Sequence, residues 1–158
     1  MPILSNHLAL LQNYSFEFKA KLLSGAVGWV IKGTKDYNDI MPRFCLMFNI
    51  VQAGTLTPHI FKGDRRHPVH QYHQLQDLAV YVGERLDLPR FYDIKTTVKD
   101  DLVEIHFDGE PVFSHTFGTH PTEQELYNFN PKGGQVGFRC YPTEEAIIRD
   151  LDIKLIRD

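Results

Sequence analysis

The sequence predicts an all-β protein, an antiparallel two-sheet β-sandwich with at most short helical segments. Three observations carry that prediction. Tyr14, Phe16, Phe18, Ala20 and Leu22 alternate strictly with Ser15, Glu17, Lys19 and Lys21, the period of a half-buried strand. Many short runs of this kind follow one another, separated by turn residues, and convincing helical spacing is rare. Phe, Tyr and Trp together make up 12% of the chain, a composition that favours strands.

Taken in order, Gly25 ends the first strand and Val27 to Lys32 resumes as a second. Gly33 to Asp39 is turn chemistry, rich in residues that bond their own backbone. Arg43 to Val51 is almost continuously apolar, which fits a strand covered on both sides. Residues 52–89 form the irregular part of the pattern. Thr57 to Phe61 reads as a short strand, and Pro58 favours an edge position for it. Leu75, Leu78, Ala79, Val82 and Leu86 follow helical spacing, so a short helix is expected in 74–86, against the strand-leaning Val80-Tyr81-Val82 and the cost of Gly83. From Tyr92 alternation returns, turning at Lys99-Asp100-Asp101 and again at Asp108-Gly109, a dipeptide that tolerates the positive φ of a tight hairpin. Thr122, with Glu125 three residues on, is a helix cap for one turn. Val136, Phe138 and Cys140 then share one strand face, and Leu151, Ile153 and Leu155 share one face of the closing strand.

The 158 residues fit one domain, 1–158, with its core over roughly 14–156 and a closing strand so near the end that no separate catalytic domain is expected. With 42% hydrophobic and 23% charged residues the chain has a soluble globular composition. A net charge of −3 argues against nucleic acid as a partner; the basic run Lys62, Arg65, Arg66, His67 reads as a solvated loop. No apolar run reaches the roughly 18 residues of a membrane span, and no signal peptide opens the chain, so a cytoplasmic location and no membrane partner are expected. Cys45 and Cys140 lie in apolar strand patterns and read as buried free thiols.

The order of these pieces resembles a known group. An aromatic alternating strand leads into Gly25-Ala26-Val27-Gly28-Trp29-Val30. Lys35 to Asp39 precedes an apolar strand, and Phe91 to Lys95, Phe107-Asp108-Gly109, Gly134 to Arg139, Glu145-Ala146 and Asp150 to Ile153 follow. This resembles the concanavalin A-like (laminin-G-like) jelly roll, and within it the sugar-binding modules of bacterial α-L-rhamnosidases and related glycoside hydrolases. The resemblance implies carbohydrate as the ligand. It also implies calcium at Asp36, Asn38 and Asp39, although the adjacent Asp-Asn of the rhamnose-binding members is here interrupted by Tyr37 or reversed.

Calcium takes about six to eight oxygen ligands, of which these three side chains supply two or three; the competing reading is an Asx-type turn. Sugars need polar groups beside an apolar platform. Candidate ligand-binding residues are Trp29, Tyr37, Asn38, Tyr72 and Arg139, with Tyr92 as a further platform; for Trp29, among apolar neighbours, core packing is the favoured alternative. Arg139 is placed either as a brace to Glu144 or Glu145 or as a fork for ligand, the brace being favoured. His59, His67, His70 and His73 are polar loop histidines in preference to metal ligands, since Pro68 interrupts their run. A glycosidase needs two carboxylates about 5 to 9.5 Å apart across a cleft. Glu104 to Asp108 fails the Glu-x-Asp-x-x-Glu spacing of the laminarinase group, and no nucleophile elbow occurs. The expectation is therefore a non-catalytic carbohydrate-binding module, alone or accessory to a glycoside hydrolase. The alternatives are an enzyme of the same fold and a protein-interaction sandwich.

Overall fold

The computed structural model describes residues 3–4, 13–34, 44–64, 67–83, 90–126, 134–139 and 141–157. In chain order the strands are β1 (Ile3–Leu4), β2 (Tyr14–Ser24), β3 (Ala26–Thr34), β4 (Phe44–Val51), β5 (Thr55–Asp64), β6 (His67–Gln74), β7 (Val80–Tyr81), β8 (Tyr92–Lys99), β9 (Leu102–Phe107), β10 (Glu110–Thr116), β11 (Gln135–Arg139) and β12 (Glu145–Leu155). A 3₁₀ turn covers Gln76–Leu78 and a short helix, α1, covers Pro121–Leu126. Two antiparallel sheets form. One runs β1-β11-β3-β4-β5-β6 with β7 also on β5; the other runs β10-β9-β8-β2-β12.

The inner faces of both sheets meet in one apolar core. Phe16, Phe18 and Ile94 come from the five-stranded sheet, and Trp29, Phe48 and Ile60 from the seven-stranded one, all almost fully buried. Phe18 meets Trp29 edge-on at 5.7 Å and Trp29 lies 5.6 Å from Phe48, so aromatic rings bridge the two layers. The Trp29 indole N–H donates to the Thr96 hydroxyl at 2.9 Å, which satisfies the polar edge of a side chain with no exposed surface.

Most of the predicted strands form where alternation is cleanest. The turn after β8 puts Asp100 at φ 50°, and the β9–β10 hairpin puts Asp108 and Gly109 at φ 50° and 82°, as its Asp-Gly signal predicts. β4 is covered on both sides: Leu46, Phe48 and Ile50 enter the main core, while Cys45 and Met47 join Val30 and Phe61 in a second cluster on the outer face.

Five expectations are corrected. The described part of the expected helix in 74–86, residues 74–83, is not helical beyond one 3₁₀ turn. Pro58 accepts a hydrogen bond from the Leu75 N–H at 3.0 Å, so its missing N–H points to that same side, and the β6 ladder ends there at His59–Gln74. The chain then turns through Gln76–Leu78 and rejoins β5 as β7, with Leu78, Val80 and Val82 against the core. For the same reason β5 is an interior strand despite its proline.

β12 carries a bulge: Arg149 opposes Lys19 and Asp152 opposes Glu17, so Asp150 and Leu151 together oppose Phe18. The extra residue inverts the face, so Ala146 and Ile148 pack inward before it and Ile153 after it; Leu155, opposite Tyr14, shares the face of Ile153, but it and Leu151 stay exposed on this edge strand. β11 is not half-buried either, since Gln135, Gly137 and Arg139 on its outer side are buried too. Finally, α1 is capped two residues earlier than expected. The Gln124 N–H reaches the His120 carbonyl at 3.1 Å, the His120 ring Nδ1 accepts from Thr122 N–H, and Glu123 reaches back to the His120 N–H at 3.0 Å. This is a capping box built on His120 and Glu123.

Candidate functional site

On the outer face of the seven-stranded sheet, four strands align one residue each in a row. Arg139 of β11 opposes Gly28 of β3, Gly28 opposes Asn49 of β4, and Asn49 opposes Thr57 of β5. Neighbouring strands lie about 4.8 Å apart, so an extended arginine is long enough to cross one strand and reach the next but one. Gly28 clears the way: a β-carbon there would come within 2.9 Å of Arg139 Nε.

The guanidinium is held from several sides. Its Nη2 donates to Asn49 Oδ1 at 2.9 Å and pairs with Glu144, and its carbon stands 4.4 Å from the centre of the Tyr141 ring. Glu144 is itself fixed by closing the 141–144 turn, accepting from the Tyr141 N–H at 3.2 Å while its own N–H reaches the Tyr141 carbonyl at 2.9 Å. Arg139 is 7% exposed, and its Nε is buried with no hydrogen-bond partner among the described residues. On its inner side the pair borders a cavity of about 90 Å³ whose apolar walls, Val27, Phe138 and Ile148, face between the sheets. Tyr141 is 38% exposed and brings an aromatic ring to the rim.

His59 of β5 lies on the same face, two residues from Thr57. Its Nδ1 lies 3.1 Å from the Thr57 carbonyl, which only accepts, so Nδ1 carries the proton and Nε2 a lone pair. Burial, reinforced by the nearby Arg139 charge, pushes the imidazole pKa down and keeps the ring neutral.

A larger groove of about 580 Å³ lies on the outer face of the five-stranded sheet. Its charges are already paired along the face, Lys19 with Asp93, Lys95 with Glu17 at 3.1 Å and Lys154 with Asp152 at 3.1 Å. Among the described residues lining the groove, His106 Nδ1 is buried without a partner but stands alone, with no second unmatched polar group converging on it, and the smaller site is the better candidate.

Of the expected site residues that are described, Arg139 alone joins this cluster, and its carboxylate partner is Glu144, with Glu145 exposed. Trp29 is corrected from platform to core: it has no exposed surface, because its strand parity points it between the sheets. Tyr92 is likewise buried, stacked on Phe107 at 5.1 Å. Tyr72 belongs to β6, opposite Phe61. Asp36, Tyr37, Asn38 and Asp39 lie outside the described residues, as does Cys140. His67, His70 and His73 are in strand β6, not in a loop or helix, which removes the helical spacing on which their metal reading rested. Among the described residues no group of three potential metal ligands converges, and no helix is long and apolar enough to cross a membrane. Gly28 and Asn49 were not singled out from the sequence; His59 was read there as a polar loop histidine, and it lies instead in strand β5. The signal available was a polar Asn49 interrupting the apolar run of β4.

No protein-family profile and no curated protein matches the sequence. Solved structures do. Sheep galectin-11, in complex with glycerol, superposes with a TM-score of 0.59 at 14% identity, covering 97% of each chain. The carbohydrate-binding module CBM66 of Bacillus subtilis gives 0.59 at 14% identity, over 90% of this chain and 75% of its own. A tetrameric galectin of the ball sponge Cinachyrella gives 0.58 at 12% identity over 96% of each chain. At these identities the likeness is one of fold: the chain is an antiparallel two-sheet sandwich of the concanavalin A-like jelly-roll type.

Proposed function

We propose that this chain is a non-catalytic carbohydrate-binding domain that takes a sugar at the Arg139–Asn49–Glu144 cluster. The observation that carries the reading is the cluster itself: a guanidinium, an amide and a carboxylate locked in one arrangement, with the exposed Tyr141 ring beside them as an apolar surface. Sugars ask for that combination, directional partners for hydroxyls and an apolar surface for ring C–H groups. Preorganised side chains also lose little rotamer freedom on binding. The galectin and CBM66 likenesses support the reading through fold alone, and a fold hosts many functions. The finer likeness to rhamnosidase sugar modules, and assistance by calcium at Asp36, Asn38 and Asp39, belong to the same proposal.

A glycan array followed by thermal-shift titration, with calcium or with EDTA, tests it. A sugar-dependent rise in melting temperature that disappears in Arg139→Lys is expected, because lysine keeps the charge but not the planar fork. No shift with any sugar sinks the reading. Loss of the shift in EDTA supports the calcium part, and its persistence removes only that part. Release of reducing sugar would replace it with an enzyme of the same fold.

A further inference from the structure

Two groups in the candidate site face outward with their hydrogen-bonding character already decided. Asn49 accepts from Arg139 Nη2 through Oδ1, and an arginine can only donate, so the other arm of the amide is the Nδ2 donor. His59 donates from Nδ1 to the Thr57 carbonyl, which leaves Nε2 as an acceptor. Neither Asn49 Nδ2 nor His59 Nε2 is among the buried unpartnered atoms, and neither has a hydrogen-bond partner among the described residues. Asn49 lies directly opposite Thr57, and His59 is two residues along from Thr57, so the two are diagonal neighbours on one sheet face. Diagonal pairs stand about 7–8 Å apart at the backbone, which places their side-chain tips within reach of adjacent ring substituents.

We infer that Asn49 and His59 form a donor–acceptor reader for two neighbouring hydroxyls, which makes the site selective for neutral sugars over acidic ones. This rests on the carbohydrate reading above and names the ligand class. A hydroxyl both donates and accepts, so one hydroxyl takes the Asn49 N–H and its neighbour gives its proton to His59 Nε2. An ionised carboxylate or sulfate only accepts. Set against Nε2 it leaves two lone pairs facing each other, and the Glu144 carboxylate on the same guanidinium adds like charge. The positive charge of Arg139 does not reverse this preference, because the Glu144 carboxylate is already paired with the same guanidinium and offsets that charge, while Asn49 takes its other Nη2 hydrogen.

The test uses the full chain and a neutral oligosaccharide that the array identifies, beside the same oligosaccharide carrying a uronic carboxylate or a sulfate ester. Calorimetric titration should show the acidic forms binding about tenfold or more weakly. Asn49→Asp keeps the acceptor for Arg139 and swaps the outward donor for an acceptor. It should lower affinity for the neutral sugar by about tenfold or more without lowering the melting temperature. His59→Ala should lose affinity likewise, and His59→Gln, which restores an acceptor, should recover part of it. Equal or tighter binding of the acidic forms, or wild-type affinity in both Asn49→Asp and His59→Ala, overturns the inference and leaves the carbohydrate reading standing. Failure of the wild type to bind any glycan removes both.

Discussion

Gly28 lies directly under the Arg139 side chain, and a β-carbon on it would stand 2.9 Å from Nε and 3.1 Å from the arginine's own Cβ. Gly28 sits in the middle of β3 and is not among the residues with positive φ, so its backbone conformation does not demand glycine. What demands it is the passage of the guanidinium to Asn49. Gly28→Ala should therefore leave the sheet intact and push Arg139 off its partner. The expected result is a loss of sugar affinity of about tenfold, with a melting temperature within a few degrees of wild type. Unchanged affinity by calorimetry would show that Arg139 needs no clear path over β3.

That arrangement also explains which parts of the molecule were legible in the sequence. β2, β8 and β9 were clear because each has one face in the core and one in water, so burial writes itself as alternation. β12 alternates just as well, yet the bulge at Asp150 inverts its face midway, an event set by pairing with β2 and not by local composition. Residues 74–86 misled because Leu75, Leu78 and Val82 fit a helical spacing while Pro58, far back in the chain, leaves the gap that the 3₁₀ turn fills. Among the described residues the site was legible only at Arg139. Gly28 and Asn49 reach it through the register of β11, β3 and β4, which no spacing in the chain records.

Trp29, the chain's one tryptophan, is a probe of this correction. With no exposed surface and its N–H held by Thr96, it should keep its emission maximum throughout a sugar titration. Trp29→Phe removes that hydrogen bond and part of the packing against Phe18 and Phe48, and should cost about 2–3 kcal/mol of stability by urea unfolding. A sugar-dependent shift in emission would return Trp29 to the binding site.

Glu123 is fully buried, yet its carboxylate meets His115 at 2.9 and 3.0 Å and the N–H groups of Gly118 and His120, each at 3.0 Å. It organises the whole 117–120 loop and the start of α1. Glu123→Gln offers one acceptor oxygen and turns an NH₂ toward groups that are themselves donors. A loss of about 3 kcal/mol is expected, read from the urea midpoint at constant slope. A change under about 1 kcal/mol would mean that the loop is held by other contacts.

Acid should destabilise the fold through His59. Its folded pKa lies below the ordinary value, chiefly through burial and secondly through Arg139. The unfolded chain therefore takes up the proton first, and stability falls as pH drops below about 6.5, levelling off once the folded pKa is passed. His59→Gln, which cannot titrate, should flatten the stability profile in that window, measured by chemical denaturation at stepped pH. An unchanged slope would assign the acid sensitivity to other groups.

Gly54 and Gly83 make a paired test of backbone strain against steric conflict. Both have positive φ, 90° and 107°. A β-carbon on Gly54 would come 2.5 Å from the Gly83 carbonyl oxygen and 2.9 Å from the Tyr81 ring, at the point where the Val82 N–H donates to the Gly54 carbonyl at 2.7 Å. A β-carbon on Gly83 meets nothing within 4 Å. Alanine at Gly83 should thus cost only the conformational part, about 1–2 kcal/mol. Alanine at Gly54 adds a backbone clash that β7 resolves only by leaving β5, and should cost at least about 2 kcal/mol more. Equal costs for the two substitutions, by urea unfolding, would show that the close approach of residues 54 and 83 contributes nothing to docking β7.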